Sequence, residues 1–542
     1  MKVRSVAVLV AAFVVAHAAM AQTGAASINL SLKDAIAQAI EHNLDIAVAR
    51  LDPKSSAVGV TLAEAGFDSS LEARGNFSRS QEEPSNSFSA EKRDNTTVSS
   101  TFTDRLHTGG QWSVGLDYTD STATYPAGSE RFGLIPNQSG ASLTGTFTQP
   151  LLRNFGLEIN KTQIEQAKNN LKISDAQLTQ RVIAVVEQTE SGYWTVFGAR
   201  KSLDVARTSK SLAEDFLKQT KVRVEVGTLP PIEITNAEAQ VASREEAVIV
   251  AENSLRDAED QLRQLMRVDP ASADWSKAIV PTDTPDFRAT TIDYDAAIDT
   301  AMKNRKELDE AQLNLRNVEL DEKFRTNQLR PGLDLTASYS ASGNNFEFVN
   351  QNVPASSQTL VVDCDGNPLT PEACLQVIPI PATTTLVRQD KSRTEPFKEI
   401  PKLDNTNWSV GAIFTLPIGN RTAKANLART RIQKEQVQLN IEKTRQSIRV
   451  EVRQAARGLE SSAQRVASAK ANVVLQRKKL DAEQKRFENG LSTSFQVLQA
   501  QNDLQDSENA QTAAEVSYSK ALSRLAAAQG TLLGERGVSL QQ

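Results

Sequence analysis

Two hydrophobic periods take turns along this chain. Over about 420–488, Val452, Leu459, Val466, Val473, Leu480 and Phe487 recur every seven residues, and Ile441, Ile448, Ala455 and Ala469 form a second row of the same period. Ile164, Leu171, Leu178 and Val185 repeat that spacing earlier in the chain. A strict seven-residue period predicts underwound helices that pack knobs-into-holes. Long helical segments are therefore expected over about 157–226, 232–267, 420–488 and 494–530. About 70 residues at 1.5 Å each make a rod of roughly 100 Å. Helices of ordinary globular bundles are far shorter.

The other period is two. Leu333, Leu335, Ala337 and Tyr339 alternate with Asp334, Thr336, Ser338 and Ser340, and Trp408, Val410, Ala412, Phe414 and Leu416 alternate in the same way before Pro417. Nearer the N-terminus, Leu71, Ala73 and Phe77 oppose Glu72, Arg74 and Asn76; Trp112, Val114, Leu116 and Tyr118 oppose Ser113, Asp117 and Thr119. Such strands suit a wall with lipid on one side and a wet lumen on the other. A water-soluble sandwich alternates similarly, so the strand count has to decide. The second half predicts two strands around a long polar excursion, 343–404; the first predicts two outer strands and an extra hairpin turning at His107-Thr108-Gly109-Gly110. Four to six strands are too few, because single-chain barrels begin at about eight and a lipid-exposed edge cannot stay unpaired. Several chains must share one barrel.

The same order of elements occurs twice. Leu32 to Asn43 aligns with Tyr294 to Arg305 at an offset of 262, Thr148-Gln149-Pro150-Leu151 with Thr415-Leu416-Pro417-Ile418 at 267, and Val226-Gly227 with Asn489-Gly490 at 263. The resulting division begins with a leader over 1–21 and an N-terminal region with a first short helix over 22–67. A first β segment (68–150) and a first long-helix pair (151–268, tip near 227–233) follow, then a Pro-containing linker (269–291). The second unit has a short helix (292–331), a β segment (332–417) and a long-helix pair (418–533, tip near 490–496), with a C-terminal tail over 534–542.

Composition narrows the function. Lys2 and Arg4, an apolar run from Val6 to Ala16 and Ala19-Met20-Ala21 predict a secretory leader with Gln22 as the mature start. Loss of that leader takes the formal net charge from −5 to −7, which argues against a dedicated nucleic-acid binder. Beyond the leader there is no run of 18 apolar residues, so no membrane-spanning helix is expected. Cys364 and Cys374 predict a short-loop disulfide in an oxidising compartment, with two free thiols as the alternative. No P-loop, G-x-S-x-G elbow or H-E-x-x-H pattern occurs, and only His42 and His107 follow the leader. No catalytic group, cofactor or metal site is expected.

The duplicated order, the strand-Pro-helix junctions and the two glycine-centred turns together resemble the TolC-like outer-membrane efflux protein family, over essentially the whole mature chain. The resemblance implies a mixed α/β membrane protein. Its homotrimer would form an outer-membrane β-barrel continued by a long coiled-coil helical periplasmic barrel, built from two internal repeats. It implies residence in outer-membrane lipid and service as the passive exit duct of a tripartite efflux or type I secretion system, with a periplasmic adaptor protein and an inner-membrane pump as partners. The family pattern has four strands per protomer, and the extra hairpin departs from it. Gly227 and Gly490 correspond to the hairpin tips that close the periplasmic entrance. Six and nine residues beyond each glycine stand Glu233 and Asn236, then Gln496 and Gln499. Better-known members carry aspartates at the latter two positions, so the implied acidic ring is reduced here to Glu233. The family's closing network also uses a tyrosine and an arginine where this chain has Phe487 and Ser492. Lys485 or Arg486 are then the candidate cations of a closed entrance, unless it is held loosely. The plainer reading is that Phe487 continues the heptad row and that Gln496 and Gln499 are solvated helix positions.

A trimeric coiled-coil surface adhesin or a periplasmic tether would also explain export, heptads and trimerisation. Neither requires the strand-helix-helix unit to occur twice.

Overall fold

The computed structural model describes residues 27–127, 137–287, 292–363 and 373–539. The leader and Cys364 lie outside the described residues, and only the backbone of Cys374 is described, so the disulfide expectation falls outside as well. The chain opens with β1 (Ser27–Leu30), α1 (Leu32–His42), α2 (Leu44–Ala49) and α3 (Leu51–Glu64). Then come β2 (Ser70–Gln81), β3 (Lys92–Arg105), β4 (Gln111–Thr124) and β5 (Asn137–Pro150). The short α4 (Leu157–Asn160) precedes the long α5 (Thr162–Glu225) and α6 (Ile232–Met266). β6 (Ala278–Pro281), α7 (Tyr294–Asn304) and α8 (Lys306–Asn327) lead to β7 (Gly332–Asn344). After β8 (Phe346–Val353), β9 (Ser356–Asp363), β10 (Ala373–Ile380), β11 (Thr383–Asp390) and α9 (Glu395–Glu399) comes β12 (Thr406–Thr415). The chain closes with α10 (Arg421–Glu488), α11 (Ser494–Gln529) and α12 (Leu532–Glu535). These elements divide into a helical unit (Met1–Val60, Ala167–Val318, Ile432–Gln542) and a sheet unit (Thr61–Gln166, Glu319–Arg431).

In the helical unit the heptad rows are the buried seam. Val452, Leu459, Val466, Val473, Leu480 and Phe487 are all buried, and Ile441, Ile448 and Ala455 join them. Tyr518, Leu525, Ala301 and Leu308 pack against the middle of that row. A second cluster joins Tyr193, Trp194 and Phe197 to Leu262, Met266 and Ile279. The first short helix expected within 22–67 is broken at Asn43, whose side-chain oxygen accepts from the backbone nitrogens of Asp45 (2.9 Å) and Ile46 (3.3 Å) and so caps a new helix. A similar break at Arg305 separates α7 from α8. The expected linker also carries structure: β6 pairs in parallel with β1, Leu30 opposite Pro281.

Three polar contacts lock this unit. Fully buried Glu190 accepts from Arg536 at 2.6 and 3.0 Å and from the Ser523 hydroxyl, so the C-terminal segment is anchored rather than trailing. The Tyr193 hydroxyl donates to Asp283 Oδ2 at 2.7 Å and lies 3.0 Å from the Leu30 carbonyl oxygen; burial pushes the phenol up to about 12. Arg305 reaches Glu451 and the carbonyl of Ala528.

The sheet unit holds one six-stranded sheet in the order β12-β7-β5-β4-β3-β2, antiparallel throughout. The extra hairpin, β3 with β4, is therefore a full part of this sheet. It turns where Leu106 and Gly110 pair at 2.7 Å, and Gly109 (φ 95°) supplies a backbone conformation that side chains disfavour. The excursion 343–404 is not one long loop: β11 pairs with β8, β10 with β9, and α9 lies against β7. Gly343 is demanded by that helix, since a Cβ there would stand 2.2 Å from the Pro396 carbonyl oxygen. Apolar side chains project from the sheet uncovered, with Leu71, Trp408 and Val410 each about two-thirds exposed or more.

Candidate functional site

Two helical turns, both in the helical unit, carry the residues marked in the sequence. At the first, α5 ends with the backbone nitrogen of Gly227 bonded to Val224 O and that of Thr228 to Arg223 O, and Gly227 takes φ 78°. At the second, α10 ends with Gly490 bonded to Phe487 O and Leu491 to Arg486 O, and Gly490 takes φ 70°. Both are left-handed helix ends of the kind glycine favours. Nothing stands within 4 Å of a Cβ at either glycine, so backbone conformation alone asks for glycine there. Pro230 and Pro231 then precede α6.

Beneath these turns lies an apolar cluster of Phe216, Ala237, Leu480, Phe487, Val497 and Ala500. Phe487 is its centre: the ring is 5.5 Å from that of Phe216. The heptad reading and the tip reading of this residue thus coincide. Arg223, four residues before Gly227, lays its guanidinium 4.4 Å from the Phe487 ring centroid and donates from Nη1 to the Phe487 carbonyl oxygen at 2.9 Å. Sequence reasoning missed Arg223. Lys485 and Arg486 do not reach Glu233: each pairs within its own helix, with Asp481 at 2.8 Å and Glu483 at 3.2 Å. A carboxylate three or four positions back on a helix is the nearest partner within the chain.

Glu233 instead accepts from the Ser494 hydroxyl on the other hairpin and, at 3.5 Å, from Asn236. Ser492 donates to Glu483 and lies 2.7 Å from Gln496 Oε1. Gln496 has a local task, since its side chain and that of Thr493 form a capping box that starts α11. Gln499 donates to Asp503 at 2.8 Å, and that bond with Lys479 holds the Asp503 carboxyl below its ordinary range, the lysine contact being the larger cause. The structure thus brings Glu233 and Asn236 together with Ser494, and Phe487 with Arg223; Gln496 and Gln499 serve their own helix.

A polar layer follows. Arg244 on α6 donates to Asn502 and Gln505 on α11, and the Ser209 hydroxyl of α5 donates to Gln505 at 2.7 Å. Burial pulls the Arg244 guanidinium below its usual value, with Asp506 opposing. A small cavity of about 80 Å³ lined by Phe216, Gln484, Phe487 and Gln501 sits beside the cluster, and the buried Gln501 amide nitrogen has no partner in it. The site offers contacts that hold two hairpins together.

A model of a family described as outer membrane efflux protein matches residues 137–266 and 380–531, together more than half of the chain. Outer membrane protein TolC of Vibrio cholerae is 25% identical over 197 residues, which make up 35% of this chain and 44% of that protein. The chain therefore spans less than half the length of that curated relative. Among solved structures, the Campylobacter jejuni CmeC outer membrane channel superposes with a TM-score of 0.60 at 13% identity, covering 92% of this chain and 86% of that one. The outer membrane protein VceC of Vibrio cholerae gives 0.61 at 14%, covering 92% and 96%. The open-state MtrE channel of Neisseria gonorrhoeae gives 0.57 at 15%, covering 92% and 89%. At these identities the likeness establishes the fold.

Proposed function

Because this chain belongs to the outer membrane efflux protein family, we propose that it is an outer-membrane exit duct, passing substrate passively from an inner-membrane pump and a periplasmic adaptor to the exterior. The observation that carries this is the six-stranded sheet, whose uncovered face is apolar and whose outermost strands, β2 and β12, are exposed at every residue. Neither edge can remain unpaired in lipid. Six strands are also fewer than one chain needs to close a barrel. A homotrimer supplies the missing neighbours and forms the β-barrel, with the long helices assembling a periplasmic coiled-coil barrel from two internal repeats. No helix among the described residues is long and apolar enough to cross a membrane. An adhesin or tether has no need of such a sheet.

On this reading the turns at Gly227 and Gly490 form the periplasmic entrance. Glu233 is its one acidic group among the positions singled out, and Arg223 with Phe487 is its closing contact. The cargo is set by the pump rather than by the duct. The test is to express the chain with its leader, extract it from outer membranes, and measure its mass in detergent and its conductance in planar bilayers. A detergent-requiring trimer that conducts supports the reading. A water-soluble monomer that conducts nothing overturns it.

A further inference from the structure

The registers of the large sheet line up residues across all six strands, and the rows differ sharply in character. One row reads Leu71, Phe102, Val114, Gly145, Tyr339 and Trp408. The row one residue away reads Ser70, Thr103, Ser113, Thr146, Ser338 and Ser409, a hydroxyl at every position. Ser113 lies 2.7 Å from Thr146 and Ser338 lies 2.8 Å from Ser409. Successive side chains on a strand point to opposite faces. Along these two rows one face is apolar or glycine and the other hydroxylated from the first strand to the last; on β3 the apolar face is carried by Phe102 and Val98, with Ser100 between them.

That continuity bears on the hairpin. The resemblance to the efflux family leads one to expect four wall strands, which here would be β2, β5, β7 and β12. A hairpin outside the wall would be polar on both faces, or would fold its apolar face against protein. This one keeps its apolar face open over Val98, Val114 and Leu116, while Tyr118, at one end, stacks on Phe397 of α9. It is paired along its length with β2 on one side and β5 on the other. Val98, Val114 and Leu116 are as open as Leu143 and Tyr339 on the neighbouring strands, at 38–50% against 40% and 46%. The apolar run on β4, from Trp112 to Tyr118, is bounded by Asp120 at one end, and Asp104 of β3, opposite Trp112, bounds the other. Carboxylates at both margins with apolar residues between them are what a wall strand needs at its two water interfaces.

We propose that the β3–β4 hairpin is part of the membrane-spanning wall, so that three copies close a barrel of eighteen strands rather than twelve. The inference rests on the trimeric duct reading and adds the identity of the wall. Each copy brings an even number of antiparallel strands. β12 and β2 thus run in opposite senses, and β12 of one copy meets β2 of the next as an antiparallel neighbour, like every junction within the sheet. Barrel diameter grows roughly linearly with strand number, so this wall is about one and a half times as wide as a twelve-stranded one. Its lumen face is lined chiefly by serine and threonine hydroxyls. Glu72, Arg74 and Asp117 stand on that face as well, so it carries charge among its hydroxyls.

The chain has four tryptophans, Trp112, Trp194, Trp275 and Trp408, and two of them lie on the apolar face. Variants that keep only Trp112 or only Trp408, the others changed to Phe, are reconstituted into vesicles whose phospholipid acyl chains carry bromine. The expected result is a comparable fractional loss of emission from both, with no loss from a variant that keeps only buried Trp194. Quenching of Trp408 without quenching of Trp112 overturns the eighteen-stranded wall and leaves the duct reading standing. Quenching of neither overturns the duct reading itself. Because Trp194→Phe touches a packed core, the unaltered protein provides a second measurement: electron cryomicroscopy of detergent-extracted trimers is expected to show eighteen strands. Any other count refutes the proposal.

Discussion

Arg223 donates to the Phe487 carbonyl oxygen at 2.9 Å while its guanidinium covers the Phe487 ring at 4.4 Å, tying the end of one hairpin to the end of the other. A cation over an aromatic face contributes about 0.5–2 kcal/mol, depending on how far it is desolvated. A hydrogen bond from a charged donor contributes about 1.5–3 kcal/mol. Arg223→Ala is therefore expected to loosen the tips, seen as a larger open fraction in single-channel recordings. Arg223→Lys should rescue only partly, because an ammonium lacks the planar fork. A double-mutant cycle with Phe487→Leu should return a coupling of about 1 kcal/mol in thermal unfolding; strict additivity would remove the contact from tip closure.

Glu233 is held by Ser494 and Asn236, and no cation bonds it in the tip network described above. Its charge is consequently free to act on permeating ions. Glu233→Gln keeps the hydrogen-bonding shape and removes the charge, so the expected outcome is a lower preference for cations over anions with unchanged trimer stability. Reversal potentials in asymmetric salt measure it. An unaltered preference would take Glu233 out of any selectivity role.

The long helices were legible because their seam is periodic: Val452 to Phe487 are buried at every seventh position. The breaks at Asn43 and Arg305 were not, since a cap is decided by one side chain and leaves the surrounding pattern intact. β4 announced itself through Trp112, Val114, Leu116 and Tyr118, whereas β3 carries Thr and Ser on both faces and shows only Val98 and Phe102 as apolar markers. The strands β8 to β11 were hidden in a segment that read as polar excursion. At the tips, the glycines were readable from sequence because their conformation is local. Arg223 was not, because its partner lies 264 residues away and only the fold brings them together.

Arg536 meets a carboxylate that has no water to fall back on: Glu190 is fully buried and also takes the Ser523 hydroxyl. That hydrogen bond, ahead of the burial that opposes it, raises the Arg536 guanidinium above its usual value. Removing one partner of a buried pair costs about 3–5 kcal/mol because the other charge stays buried and unpaired. Arg536→Ala is expected to lower the midpoint of thermal unfolding in detergent far more than the double change Arg536→Leu with Glu190→Leu, which removes both charges. Equal losses in the two variants would show that the pair matters only through packing.

Glu187 on α5 is half-buried, and burial pushes its carboxyl above the ordinary glutamate value; Glu451 and Glu190 push the same way, and Arg524 opposes them. A carboxyl whose folded value is raised disfavours the ionised folded state, so the cost is fully present above the folded pKa. It is relieved as pH falls through that value, and it vanishes below the unfolded value of about 4.3. Glu187→Gln removes the charge at every pH. The variant should therefore be more stable than the parent at pH 7.5, with the gap closing as the buffer is taken from pH 7.5 to pH 4. Thermal unfolding of both proteins across that range reads the difference. A variant less stable than the parent at pH 7.5, with the deficit vanishing on acidification, would mean that Arg524 outweighs burial at this position and that Glu187 is held as a favourable anion.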